Sequence, residues 1–474
     1  MKIEKVVLAI PNFRWQDWKI NTLWNVHPYN ICLLSAMIEQ EYDVVIVDAN
    51  IDDLSKEEFA TILEKEKPDV VGITVLTNEY GRAGHIAAEI TKNVDKSIIV
   101  VFGGVYATNS YLSIIEDENV DYVVVGEGEY VFKNLLGYLN GHDDLPAKGI
   151  AYKRDGKLIT TPRENFITDL DALPLPSYHK IDFLKYANTI PRESVDRPRE
   201  FPCARILTSR GCGVGCSFCE VEYIAGKKFR FRSPDSVVDE IEWLKGQYGI
   251  KSVLFDDDNM LLSRNRAKDI FKEMSKRNLD ITWNAIATAV FLLDEEMLEL
   301  MKESGCQYLD IAIESSVERV LKEIIHKPIN LEYAQKMVKK ARELGIDTAA
   351  NFIVGFPGER WDEIRQTIKF AESFDVDYVK IMIATPLPST ELCRMAKDGG
   401  YLPANFTFDD MDWSHGQIET DEFTSQDVAI LRAYEWDRIN FTDPERRKNI
   451  ARMMNITEDE LNQIRKRTLR SLKL

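Results

Sequence analysis

The sequence has no long hydrophobic run. Its longest apolar stretch, Ser97 to Ala107 (SIIVVFGGVYA), is about half of the roughly 20 residues that a membrane-spanning helix needs. No transmembrane segment is expected. Cysteine is scarce and odd in number, seven in 474 residues, which excludes a disulfide framework and points to reduced thiols. Positive charge is also short: 60 Lys and Arg against 78 Asp and Glu leave a net charge of −18. A surface that acidic repels a phosphate backbone, so a general nucleic-acid binder is excluded. The opening MKIEKVVLAIPNF is broken by Pro11 and lacks a small-residue cleavage site, so it reads as a first strand and the expected location is cytoplasmic.

What is present is ordinary globular composition, 45% hydrophobic and 29% charged, over a length that suits about three domains at roughly 150 residues each. From Glu4 to Leu139, short Val/Ile runs (VVLAI, VVIVDA, VVGITV) alternate with amphipathic stretches. That alternation predicts an α/β fold with a doubly wound, Rossmann-like parallel sheet over residues 1–142. Such sheets bind ligands beyond the carboxyl ends of their strands, which here carry Thr74, Thr77, Asn78, Gly103, Gly104, Gly126, Glu127 and Gly128. Residues 143–200 are proline-rich and weakly periodic, and read as a linker with one small hairpin near Ile150 to Ile159. A second βα series over residues 201–392 supplies six strands, ARILTS through YVKIMIA, as in a partial (β/α)6 barrel whose function sits after the strands. Residues 393–474 read as mainly helical. Their last 30 residues hold nine Lys and Arg against four Asp and Glu, either a solvated helix or a contact for an anionic surface or substrate.

The strongest chemical signal is Arg210 to Cys219 (RGCGVGCSFC), a C-x3-C-x2-C loop directly after the first strand of the second series. Cys212, Cys216 and Cys219 can hold three irons of a four-iron four-sulfur cluster and leave the fourth iron open. A zinc site would want a fourth Cys or His close by, and Cys203 alone lies within ten residues. Cys32, Cys306 and Cys393 are isolated and read as small core residues.

With that loop, the sequence resembles the cobalamin-dependent radical S-adenosylmethionine (SAM) enzyme family. Phe218 stands beside the third cysteine, FDDDN (255–259) ends the second strand, YLDIAIESS (308–316) contains Glu314, and NFIVGFPGE (351–359) contains Gly355 and Pro357. The resemblance implies SAM contacts at Phe218, Asp257, Glu314, Gly355 and Pro357. GGVYAT (103–108) and DYVVVGEGE (121–129) are similar to the loops of the cobalamin-binding domain that precedes the barrel. The implied cobalamin contacts are Thr74, Thr77, Asn78, Gly103, Gly104, Tyr106, Gly126, Glu127 and Gly128. Val105-Tyr106 departs from the family's commoner Pro-His, and no D-x-H-x-x-G motif occurs. The resemblance therefore implies a corrinoid with no histidine below cobalt; His27 and His85 are the remaining N-terminal candidates.

The implied cofactors are a 4Fe-4S cluster, SAM and cobalamin, with an electron donor such as flavodoxin or ferredoxin. The leading reaction is C-methylation at an unactivated carbon through a 5'-deoxyadenosyl radical and methylcobalamin. The alternatives are a non-methylating rearrangement or cyclisation, and a corrinoid or SAM binding module without turnover. A methylthiotransferase would need a second cluster from N-terminal cysteines, and only Cys32 lies in the first 200 residues. No catalytic side chain is identified. The substrate is expected to be a small molecule, with a lipid or anionic metabolite favoured by the basic tail, and Trp413, His415 and Trp436 as candidate contacts.

Overall fold

In a computed structural model of the protein, residues 2–16, 27–163, 166–188, 195–196, 198–408, 411 and 415–470 are described, Ala287 by its backbone alone. Two compact units divide the chain: residues 1–186 with Thr407–Met411, and residues 187–406 with Asp412–Leu474.

In the first unit the Val/Ile runs form β1 (Lys5–Ile10), β2 (Asp43–Asp48), β3 (Val70–Thr74), β4 (Ile99–Gly103) and β5 (Tyr122–Val124), parallel in the order β2-β1-β3-β4-β5. Five of the six residues of β1 are buried, as expected for a parallel strand covered on both faces. The crossover helices are closed by local chemistry. The helix Lys56–Glu66 opens with a reciprocal capping box between Ser55 and Glu58 and ends at Lys67 in the left-handed region, φ 48°. Strand order reverses at β1 and β3, which places the ligand crevice beyond the carboxyl ends of β1, β3 and β4.

The proline-rich segment differs from expectation, because it belongs to this unit as far as Tyr186. β6 (Ile150–Arg154) pairs antiparallel with β5, and β7 (Lys157–Thr160) with β6, extending the sheet to seven strands. Further on, Ser177 N donates to Cys32 O at 3.0 Å, and Tyr186 Oη donates to the buried Asp48 at 2.7 Å. The His27 ring lies 4.7 Å from that of Phe183. Prolines interrupt the periodicity by which elements are read, and anchors of this kind leave no periodic trace.

The second unit starts with β8 (Cys203–Ile206), followed by a two-stranded ribbon of β9 (Ser209–Arg210) and β10 (Arg230–Phe231). β11 (Ser252–Phe255), β12 (Thr282–Thr288), β13 (Cys306–Glu314), β14 (Asp347–Val354) and β15 (Tyr378–Ile383) then join β8 in a six-stranded parallel sheet, order β15-β14-β13-β12-β11-β8. This is the partial (β/α)6 barrel. One face packs on helices: Trp283 stacks on Phe271 with ring centroids 5.0 Å apart, and Phe352 meets Phe370 and Phe374. Alternate residues face the lumen.

C-terminal helices complete the barrel. The helix Ser425–Phe441 covers the free edge of β15, where the Asn440 side chain accepts from Val379 N at 2.9 Å and donates to Val379 O at 2.8 Å. The helices Pro444–Met454 and Glu458–Arg470 close the lower end, packing Ile450, Met453, Met454 and Leu461 with Tyr308 and Ala349. Basic residues of the tail do the docking. Arg452 pairs with Asp347 at 2.7 Å, Arg447 with Glu458 at 2.9 Å, and Arg465 with Asp437 at 2.7 Å while lying 4.8 Å from the Phe441 ring centre. Among the described residues no helix is long and apolar enough to cross a membrane.

Candidate functional site

Cys212, Cys216 and Cys219 sit on the loop beyond β8, at the carboxyl end of the barrel's first strand. The loop is shaped by its backbone. Gly211 has φ +85°, and a Cβ there would lie 2.6 Å from Lys228 O, so no other residue fits. Cys212 N donates to Gly226 O at 3.2 Å, and Ser217 N to Ile325 O at 3.0 Å. All three cysteines are free thiols. Burial pushes Cys216 up to about 11 and Cys219 to about 12, and raises Cys212 as well, against the pull of Lys327 on Cys212 and Cys216. Among the described residues no three His, Cys, Asp or Glu converge to hold a single metal ion.

Glu314 ends β13 beside this loop. It is a buried non-glycine residue at φ +68°, reached through a register shift between Ala312 and Glu314. Backbone held in that region costs energy and concentrates at functional sites. Its Oε1 accepts from the buried Lys327 Nζ at 2.6 Å, and its Oε2 is buried without a partner. Lys327 follows the π-helical turn Val320–Ile325, and no motif marked it in the sequence.

The turn Gly355 to Glu359 lies beyond β14, with Gly355 at φ +89° and Gly358 at φ +80°. Its backbone is gripped from below: Glu359 Oε2 accepts from Gly355 N at 2.8 Å and from Phe356 N at 3.0 Å. Burial raises the Glu359 carboxyl to about 7. The Phe218 and Phe356 rings, 6.1 Å apart, bring the cysteine loop and this turn together, and Pro357 sits at its apex. Asp257 departs from its expected role. Its carboxylate accepts from Thr208 N at 3.1 Å, Thr208 Oγ1 at 2.8 Å and the Ser209 hydroxyl, so it braces the base of the cysteine loop instead of facing a ligand. Asp258 lies nearer the thiols, its carboxylate accepting from Gly211 N at 3.2 Å.

In the first unit Thr74 and Thr77 lie at the end of β3, Gly103 and Gly104 at the end of β4, and Gly126 and Gly128 beyond β5. Gly104 has φ +93°, and a Cβ would meet Thr74 Oγ1 at 2.7 Å; a Cβ on Gly103 would meet nothing within 4 Å. Thr77 Oγ1 is buried without a partner. Three other expected contacts turn into the protein. Asn78 Nδ2 donates to Ser110 Oγ at 2.8 Å, and Glu127 Oε2 accepts from Ile167 N at 2.6 Å. Tyr106 Oη bonds His85 Nε2 at 3.0 Å, and His85 Nδ1 bonds Asp117 at 2.6 Å, so this histidine is held between two side chains. His27 belongs to the aromatic group around Phe183 and Tyr186. Trp436 Nε1 donates to Tyr378 Oη at 2.8 Å at the closed end of the barrel, His415 O accepts from Gln417 Nε2 at 2.7 Å, and Trp413 lies outside the described residues.

Both edges fit guests that the protein alone leaves wanting. At the barrel mouth Ser217 Oγ, Asn259 Oδ1, Glu314 Oε2, Ser316 Oγ and Glu359 Oε1 are all buried and unpaired, a concentration that folding alone disfavours. Residues 206–371 match the Radical SAM superfamily and residues 20–136 match the B12 binding domain. Fold and site thus define an enzyme with a B12-binding domain ahead of a radical SAM barrel. The chain is 34% identical to an uncharacterized methyltransferase of Pyrococcus horikoshii, over 91% of each protein. It is 30% identical to the cytidylyl-2-hydroxyethylphosphonate methyltransferase of Streptomyces wedmorensis, over 85% of this chain and 82% of that one. In fold it resembles OxsB, a cobalamin-dependent SAM radical enzyme solved with aqua-cobalamin and SAM bound: TM-score 0.73, 17% identity, 100% of this chain and 72% of that one covered. The chain belongs to the cobalamin-dependent radical SAM enzyme family.

Proposed function

We propose that the protein is a C-methyltransferase acting on an unactivated carbon of a small molecule. The observation that carries the reading is the three-cysteine loop at the barrel mouth, ringed by unpaired buried polar atoms. Cys212, Cys216 and Cys219 would hold a 4Fe-4S cluster; Phe218, Glu314, Gly355 and Pro357 would hold SAM; Thr74, Thr77, Gly103, Gly104, Gly126 and Gly128 would hold cobalamin. When bound, and with electrons from a flavodoxin or ferredoxin, the groups would supply a 5'-deoxyadenosyl radical from one SAM to remove a hydrogen atom from the substrate carbon, and a methyl group, drawn through cobalamin from a second SAM, to replace it.

The protein's own work is placement and exclusion of water. Lys327 holds one Glu314 oxygen and leaves the other to accept from a ribose hydroxyl or an ammonium. Glu359 fixes the Gly355 to Pro357 turn, so that its backbone is ready for an adenine edge without reorganisation. Asp257, fixed to Thr208 and Ser209, keeps the cysteine loop in register with β11.

Anaerobic purification from cobalamin-supplied cells, cluster reconstitution and metal analysis test this reading. About four irons and one cobalamin per chain are expected, followed by a gain of one methyl mass in a substrate. Four irons without corrinoid would leave a radical SAM enzyme and remove the methylation.

A further inference from the structure

Half-way down the barrel lumen lies a polar layer that the chemistry at the mouth does not use. Lys380 on β15 donates from Nζ to Asp310 Oδ2 of β13 at 2.8 Å and to Asp196 Oδ1 at 2.5 Å. Tyr308 Oη donates to the same Asp196 oxygen at 2.7 Å. Asn284 Nδ2 of β12 donates to Asp196 O at 2.9 Å, and Asn351 of β14 is the register partner of Lys380 on the same face. Lys380 faces two carboxylates, and on the same face of the sheet Arg205 of β8 is paired with Asp256, so carboxylates outnumber cations by three to two. The Asn284 amide orientation is fixed, since its nitrogen already points at an oxygen and a flip would set oxygen against oxygen.

Three acceptors remain over. Asn284 Oδ1, Asn351 Oδ1 and Asp310 Oδ1 are buried without a partner, on residues only 2%, 8% and 5% exposed. Buried unpaired acceptors oppose folding, and the strands around them show that Val and Ile were available. Moreover, the layer has an open side. Towards the mouth the same face continues as Ala312, Ile353 and Met382, and Met382 is 40% exposed. Lys380 keeps 20% of its side chain accessible, whereas Val379 and Ile381 on the outer face are 0% and 3% exposed. β15 is more open inside than outside, the reverse of a strand laid on a core.

We infer that this chamber is the substrate site and that it takes a molecule with an apolar body and a hydrogen-bond-donor end group, an ammonium in preference to a carboxylate or phosphate. The apolar walls receive the body, and the acceptors of the floor receive the end group, holding the carbon between them below Glu314. The floor thus favours the opposite end group from the one the basic tail suggests. The inference rests on the proposed chemistry at the strand ends and adds the class of substrate.

Two probes with the same phenyl body separate the cases on cluster- and cobalamin-loaded protein by calorimetry: phenethylamine and 3-phenylpropionate. Phenethylamine should bind about tenfold tighter than 3-phenylpropionate. Asp310→Asn should weaken the amine about tenfold and strengthen the carboxylate, opposed changes that a folding defect, which lowers both, does not produce. Asn351→Leu should weaken the amine alone. The inference is overturned if the carboxylate binds as well as the amine, if the amine does not bind the unaltered protein, or if neither substitution changes its affinity. Iron, cobalamin and SAM cleavage are read on the same samples. Their absence defeats the proposed function, whereas their presence with the wrong probe preference defeats only the substrate class.

Discussion

At the carboxyl edge of the first sheet the surface proposed to bind cobalamin is mostly backbone: Gly103 with open space where a side chain would be, Gly104 at φ +93°, Gly126 at φ +89°. At the corresponding edge of the barrel it is mostly side chain: three thiols, the Glu314 and Lys327 pair, and the Glu359 carboxylate under a turn. The two edges solve different problems. A broad rigid macrocycle can be seated by removing side chains, because shape and many weak contacts hold it. A small charged molecule such as the SAM proposed for this edge would need a few strong, directed groups, and the unpaired atoms and positive φ at Glu314 would be the cost of holding them ready.

The comparison breaks hardest at Cys216. Cys216→Ala should abolish 5'-deoxyadenosine formation and remove most iron while leaving cobalamin content intact, read by iron assay, absorbance and chromatography. Equal loss of both cofactors would mean a shared folding defect and would sink the division of labour. Glu314→Gln keeps the cluster but removes the charge, and should weaken SAM binding about thirtyfold; unchanged affinity in a filter or calorimetric assay would remove Glu314 from the site.

The backbone edge is sharpened by two neighbouring glycines. Gly103→Ala meets no atom of the protein, so thermal stability should hold while cobalamin affinity falls about tenfold from steric conflict with the guest. Gly104→Ala meets Thr74 Oγ1 and Val75 O under 3 Å at positive φ, and should cost on the order of 2 kcal/mol in the fold itself. Equal stability losses in the two variants would refute the open space at Gly103.

The smallest effect tests a pair that braces the Gly355 to Glu359 turn from outside, since Arg319 also donates to Gly358 O at 2.9 Å. Arg319 holds the Glu363 carboxyl at about 2, below its ordinary 4.5. The folded state therefore binds this proton less readily than the unfolded one, so the stability it lends is complete above pH 4.5 and is lost as pH falls towards 2. Glu363→Gln should cost about 2 kcal/mol at pH 7, with the gap to the unaltered protein closing in acid melts.

Much of this was legible in the sequence because the residues concerned are neighbours along the chain. The cysteine loop, the GFPGE turn and the βα alternation each declare themselves within ten residues or by period. What stayed hidden depends on partners far apart. Lys327 reaches Glu314 across 13 residues, and Asp257 looked like a ligand contact until Thr208 and Ser209 were seen to occupy it. Tyr106 and Asn78 stand in the right loops but are committed to His85 and Ser110. The proline-rich segment joins the first unit through Tyr186 and Asp48, 138 residues apart. One signal was present and unread: Asp310 and Lys380 interrupt Val/Ile-rich strands, and a charge in such a strand needs a partner inside the fold.

The side chain of Asn440 does for β15 what a further strand would do, with two hydrogen bonds to one residue's backbone. The barrel's last stave is therefore a helix leaning on an edge, removable without unzipping a ladder. Exchanging this helix would therefore leave every strand pairing from β8 to β15 intact.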